Sequence, residues 1–330
     1  MINIGIIGYG KMGKIREKTV RETGRAEVRS VYEPTKIECS NKLPIVGSSE
    51  TIIADPFINA VFICTPNYLN KQLTISALLA GKHVFCEKPP GINSQETLKM
   101  IEAEKKNPGL KLMFGFNHRH HDSLRCAKKI IDSGKFGKVL WMRGRYGKSV
   151  NSDFANDWRS KRKYAGGGIF LDQGIHLLDL FLMMCGDFQE VKSFVSNLYW
   201  KSDIEDNVFL ILRNKEGQVA SLHSTMTQWR HLFSFEIFLE KGHIVINGLL
   251  TTSGSYGQEQ LTVARNFAKG PAVSWNKEEK RTYNINTSWE NEIKVFLKCI
   301  KNNLDVPVGN SKDAYKLMKL VDKVYDRSGD

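Results

Sequence analysis

The chain opens with Met1-Ile2-Asn3-Ile4-Gly5-Ile6-Ile7-Gly8-Tyr9-Gly10-Lys11-Met12-Gly13. Its first seven residues form an apolar, β-branched run that reads as a strand. The glycines at 8, 10 and 13 stand between that strand and an amphipathic stretch near 11–23 that reads as a helix. In such a strand–turn–helix the first glycine permits a tight turn, the second lets a diphosphate approach the backbone, and the third lets helix and strand pack closely. The backbone N–H groups of the helix start, at Lys11 and Met12, would face the phosphates with the positive end of the helix dipole. About 20 residues after Gly13 comes Glu33, at the end of a second strand-like run, where a carboxylate can accept hydrogen bonds from an adenosine ribose. The same carboxylate would repel a 2′-phosphate, so NAD is expected over NADP, with Lys36 as a cation that could restore some NADP binding.

Working outward, strand candidates at 3–7, 27–33, 60–64, 83–86 and 110–114 alternate with helical patterns near 11–23, 69–80 and 95–105. That alternation predicts a parallel sheet covered on both faces. After about residue 120 the pattern changes. One helix, near 123–131, precedes strand candidates at 139–146, 191–198, 208–212, 219–224, 233–239 and 243–246. Two helices, near 289–300 and 312–325, close the chain. Consecutive strands without crossover helices read as antiparallel. The expected fold class is α/β: an N-terminal doubly wound Rossmann domain over 1–118, then a C-terminal α+β domain over 119–330 with an open, mostly antiparallel sheet. At 330 residues, two domains are the natural division.

The start lacks the basic, apolar and small-residue signature of a secretory leader. The apolar run at 177–185 is interrupted by Asp179 and is short for a bilayer span. The six cysteines lie far apart with no C-x-x-C pair, which predicts neither a disulfide framework nor a zinc site. These features predict a cytoplasmic protein with no membrane partner. The net charge of +13 is spread over many segments, so it reads as a solvated surface and not as a nucleic-acid stripe. It does favour an anionic small molecule. His118, His120 and His121 flank Arg119 without a carboxylate or thiol at ligand spacing, so they read as a solvated helix start and no metal is expected. Ser160-Lys161-Arg162-Lys163 reads as an exposed loop, with contact to a substrate phosphate or carboxylate as the alternative.

Two segments carry chemistry. Ala80-Gly81-Lys82-His83-Val84-Phe85-Cys86-Glu87-Lys88-Pro89 reads as a strand that delivers Lys88 to the sheet's ligand edge. Gly166-Gly167-Gly168 are flexible glycines leading into a helix that ends near Gly186. On that helix Asp172, His176 and Asp179 share a face beside an apolar stripe of Leu171, Ile175, Leu178 and Leu182. A histidine held by an aspartate can be structural, and it is also what a general base requires.

Together these segments resemble the glucose–fructose oxidoreductase/inositol dehydrogenase/rhizopine-catabolism (Gfo/Idh/MocA) family. The resemblance runs from the glycine turn through Thr65-Pro66-Asn67, Glu87-Lys88-Pro89, Gly115-Phe116-Asn117-His118-Arg119, Trp158-Arg159 and the segment 166–179. It ends at Glu292 with Phe296 and at Ser311-Lys312-Asp313-Ala314. It implies that Lys88 contacts nicotinamide ribose and substrate hydroxyl, that His176 is the acid/base, and that Asp172 orients His176 or binds a neighbouring hydroxyl. It also implies that Thr65, Pro66, Asn67 and Glu87 line the cofactor cleft, that Arg119, Trp158 and Arg159 lie near the substrate, and that the Lys88–Pro89 bond is cis. Asn70 stands where many relatives carry histidine, which implies altered packing against the cofactor and retained activity.

The implied function is hydride transfer between NAD and a secondary carbinol of a sugar or polyol, a nucleotide sugar or uronate being favoured by the basic balance. The alternatives are an NAD-dependent glycosidase and a non-catalytic sensor on the same fold. An open sheet face is also expected to pair with another subunit as a homodimer or homotetramer.

Overall fold

A computed structural model describes residues 1–35, 43–266 and 275–326. Lys36 and Cys39 lie outside the described residues. The chain divides into two compact units, the first formed by Met1–Asn117, Lys163–Gly166 and Trp289–Lys319, the second by His118–Arg162, Gly167–Ser288 and Leu320–Asp330.

The first unit is built on β1 (Ile2–Ile7), α1 (Lys11–Thr23), β2 (Ala26–Tyr32), α2 (Ser49–Ala54), β3 (Ala60–Ile63), α3 (Asn67–Leu79), β4 (His83–Glu87), α4 (Ser94–Lys105) and β5 (Leu112–Gly115). Its strands pair in parallel in the order β2-β1-β3-β4-β5. Ile45 adds a parallel bridge to Val31 on the outer side of β2. With that bridge counted as a vestigial strand, the order becomes 3-2-1-4-5-6, that of a dinucleotide-binding sheet. Sequence periodicity could not reveal this strand, because a single bridge has none.

β3 and β5 are buried throughout and β4 from Val84 onward, as continuous apolar runs in a parallel sheet require. The stretch 289–319, placed in the second domain by the sequence pattern, clusters with the first unit. Its helix supplies Ile293, Phe296 and Leu297 to the core formed by Ile4, Ile6, Phe62, Phe85 and Met113. The Phe296 ring meets Phe85 edge-on at 5.6 Å and Phe62 at 5.8 Å, a geometry that aromatic quadrupoles favour.

The second unit contains α5 (Asp122–Asp132), β6 (Val139–Ser149), then beyond the one-turn helix α6 (Arg162–Ala165) the helix α7 (Ile175–Cys185). Strands β7 (Glu190–Ser196), β8 (Asn207–Arg213), β9 (Val219–Thr225), β10 (Thr227–Leu239), β11 (Gly242–Asn247), β12 (Glu259–Arg265) and β13 (Glu279–Tyr283) follow; the last helices, α8 (Ser288–Lys301) and α9 (Ser311–Val324), belong mostly to the first unit. The eight strands run in the order β13-β12-β11-β10-β6-β9-β8-β7. All neighbours are antiparallel except β6 and β9, so the sheet is mixed. The pairs of β12 and β13 were not foreseen: β13 is almost wholly polar and charged, and β12 has only Leu261, Val263 and Ala264 among polar residues.

One sheet face packs under α7 and the other is open. In β8 the inward Val208, Leu210 and Leu212 alternate with the exposed Phe209, Ile211 and Arg213. The helical stretch Arg162–Cys185 is long and apolar enough to cross a membrane by composition, although the run at 177–185 alone had read as too short. Of its apolar window, 72% is buried inside the protein, the pattern of a core helix.

Candidate active site

In the first unit the glycine turn has the sterics its spacing predicts. Gly8 has φ +88°, and a Cβ there would collide with the backbone of Cys64. A Cβ on Gly13 would collide with the Gly8 carbonyl oxygen, so only glycine lets α1 approach β1 this closely. At Gly10 nothing lies within 4 Å of where a Cβ would stand. That open space at the amino end of α1, where first-turn N–H groups have no helical partner, suits a dinucleotide diphosphate. Glu33 follows β2 directly. One of its oxygens accepts the Tyr9 N–H at 2.8 Å and the other the Thr35 hydroxyl at 2.9 Å, so it fixes the glycine turn as well as offering a carboxylate.

The carboxyl ends of β3 and β4 form the next part. Pro66 caps α3, the Thr65 hydroxyl donates to Asn70 Oδ1 at 3.2 Å, and the Asn67 amide donates to the Ala165 carbonyl at 2.7 Å. Glu87, expected to line the cofactor cleft, has its carboxylate buried in an ion pair with Arg16 at 2.5 Å. Arg16 also pairs with Glu292 at 2.7 Å, with its guanidinium over the rings of Phe85 and Trp289. Burial, then repulsion from Glu87, pushes the Glu292 carboxyl up to about 7 against the pull of Arg16. Of the residues from Val84 to Gly91, Lys88 alone is not buried. The Lys88–Pro89 peptide is cis.

In the second unit a π-helical turn, Phe170–Gly174, precedes α7. Asp172 lies in this wider turn and His176 in the regular helix after it, so their positions do not follow the simple i, i+4 geometry that the spacing suggested. The buried His176 ring stacks on His118, with centroids 3.8 Å apart and planes 18° from parallel. His118 Nε2 meets the Tyr146 hydroxyl at 3.1 Å, and Gln173 donates to the Tyr256 hydroxyl. Burial pushes both phenols above their ordinary range, so they stay protonated. Asp172 binds the ammonium of Lys148 at 2.6 Å.

Other expected residues have partners of their own. Arg119 is buried and grips Asp179 with both arms, at 2.7 and 2.6 Å, so Asp179 serves that ion pair. Arg159 stacks on Trp158 and pairs with Asp157, in a short half-buried turn. His118, His120 and His121 are all buried, which corrects the solvated helix start: His121 Nδ1 bonds Glu259 at 2.8 Å and His118 faces His176. The glycines 166–168 are also buried instead of loose. Sequence reasoning missed Lys148 and Tyr146. On β6 they share the inward parity of Met142 and Gly144, and a lysine in that row was the available signal.

Residues 2–116 match the oxidoreductase family with an NAD-binding Rossmann fold, and residues 124–245 match the GFO/IDH/MocA C-terminal domain. The chain belongs to this family of oxidoreductases. A levoglucosan dehydrogenase of Pseudarthrobacter phenanthrenivorans is 27% identical over 74% of this chain and 73% of its own length. A myo-inositol 2-dehydrogenase of Thermotoga maritima is 28% identical over 78% and 79%. The solved levoglucosan dehydrogenase in complex with NADH and levoglucosan shares the fold with a TM-score of 0.85, at 24% identity over 98% of this chain and 96% of that one.

Proposed function

We propose that this oxidoreductase uses NAD(H) to interconvert a secondary hydroxyl and a ketone on a sugar or polyol. The observation that carries the cofactor is the open space at Gly10, between two glycines that have no room for a side chain, at the start of α1. When bound, the nicotinamide supplies the carbon that takes or returns hydride. The Glu33 carboxylate beside the glycine turn favours NAD over NADP by charge. The substrate class follows the named relatives, which include dehydrogenases of levoglucosan and myo-inositol and a 1,5-anhydro-D-fructose reductase.

In this reading His176 takes the hydroxyl proton, and the ring stacked on it keeps its plane fixed. The Lys88 ammonium holds the oxygen as it gains negative charge. Asp172, balanced by Lys148, binds a neighbouring hydroxyl. The overall charge of +13 argued for an anionic substrate. The matched Lys148–Asp172 pair suits an uncharged vicinal diol better, because one member accepts and the other donates. The open face of the second unit's sheet is assigned to self-association. The free cysteines among the described residues fit a cytoplasmic location.

The test is a panel of levoglucosan, myo-inositol and 1,5-anhydro-D-fructose with NAD or NADH, read by reduced-cofactor absorbance. Net turnover of at least one is expected, and His176→Ala should lower its kcat by about 10²- to 10⁴-fold with NADH affinity retained. Absence of turnover across the panel and related sugars would sink the assignment, and sugar release without net cofactor change would point to an oxidise–eliminate–reduce glycosidase.

A further inference from the structure

We infer that Asn70 is a positioning residue for Lys88, an inference that rests on the proposed function and on the nicotinamide-ribose contact that the family resemblance implies for Lys88. Asn70 lies on the first turn-and-a-half of α3 and is fully buried. Its Nδ2 donates to the carbonyl of Pro89 at 3.0 Å and to that of Glu87 at 3.3 Å, the two carbonyls that bracket Lys88. Its Oδ1 accepts the Thr65 hydroxyl at 3.2 Å. One amide therefore joins the turn leaving β3 to the turn leaving β4.

The orientation of this amide is forced. Two carbonyls can only accept, so the NH₂ end must face them, and a hydroxyl can donate to the oxygen that remains. The Asn70 amide thus supplies two donors to the Lys88 turn and one acceptor to Thr65, a set that Ser, Thr and Asp do not reproduce. Aspartate would set a carboxylate against two carbonyl oxygens.

The neighbours of Lys88 are held by other means as well. The Glu87 carboxylate is gripped by Arg16, the Gly91 N–H donates to the Pro89 carbonyl at 2.8 Å, and the Thr97 hydroxyl donates to the Pro90 carbonyl. These contacts anchor the flanks in the interior. Asn70 alone among them bonds on both sides of Lys88 and also reaches Thr65. Its loss should leave the strand in place and let the lysine backbone drift, and an ammonium displaced by about 1 Å loses much of its value to a bound ligand.

The experiment is a double-mutant cycle on NADH affinity, read by fluorescence, and it needs no sugar. It uses Lys88→Met, Asn70→Ala, the gentler Asn70→Ser, and each Asn70 variant combined with Lys88→Met. Each single change should weaken NADH binding about 10-fold, and the doubles should be no weaker than about 10- to 20-fold, because Asn70 acts through the group already removed. Additive losses near 100-fold, or Asn70 variants that bind NADH as the native chain does, would overturn the inference while leaving the function standing. Native affinity in Lys88→Met would instead remove the assigned role of Lys88, and the positioning role with it. Asn70→Ser provides the cycle if Asn70→Ala does not fold.

Discussion

Arg16, on α1, shows how one side chain beside a nucleotide-binding sheet can be committed to electrostatics. Its guanidinium lies fully buried between Glu87 and Glu292, so both carboxylates depend on it. Arg16→Met should cost about 3–5 kcal/mol in urea unfolding, since it strands two buried acids. Glu292 gives the cluster a pH dependence. Its folded pKa of about 7 lies above the ordinary 4.5, so the protonated form is the one folding favours. That stability is present in full below the ordinary value and is lost as pH rises through about 7. Glu292→Gln, which keeps the neutral form, should therefore lose less Tm than the native chain between about pH 5 and pH 8. A steeper fall in the variant would contradict the raised carboxyl.

At the scale of elements, the approach to α7 is shaped by a carboxylate from elsewhere in its own unit. Both oxygens of Glu205 accept the Gly168 N–H at 2.8 Å, one accepts the Phe170 N–H at 3.2 Å, and the Tyr325 hydroxyl adds 2.7 Å. A negative charge at a helix start is stabilising, and here it is delivered across a long sequence gap. A Cβ on Gly168 would collide with the Glu205 carbonyl. Gly168→Ala should thus lower Tm by several degrees, an overpacking loss of about 1–3 kcal/mol, and should lower kcat by moving the π turn that carries Asp172. A variant with native Tm and kcat would show that the turn accommodates the methyl.

This element also marks how far the sequence was legible. Glycine spacing, Glu33, the strand ending at Lys88 and the helix ending at Gly186 were readable, because each depends on local sterics or periodicity. The π turn, the His118–His176 stack and the Lys148–Asp172 pair were not, because tertiary contacts between distant segments create them. The Arg119–Asp179 ion pair was hidden for the same reason: nothing local told that the two, 60 residues apart, would meet.

For the whole molecule, the open face of the eight-stranded sheet sets the expected assembly. Cross-strand register aligns Phe194, Phe209, His223 and Arg145 in one row, and Arg213, Val219, Trp141 and Phe238 in another. Phe209 stacks on His223 and Trp141 on Phe238, while Phe194 and Ile211 stand mostly in solvent. Exposed Phe194, Phe209 and Ile211 stand close together on this face, as apolar side chains of a contact surface do. Light scattering should give at least twice the chain mass of 37.5 kDa, and Ile211→Asp with Phe209→Glu should reduce it to one chain. A native mass of one chain at micromolar concentration would refute the assignment of this face.

The return of Trp289–Lys319 to the first unit bears on the order in which the chain can mature during synthesis. When a ribosome has completed the five parallel strands, the cover for Phe62 and Phe85 has not been translated, because Phe296 lies nearly two hundred codons downstream. The nascent nucleotide-binding half must wait, with that hydrophobic surface open, while the whole mixed sheet is made. Its completion awaits the segment 289–319, which is translated after the mixed sheet.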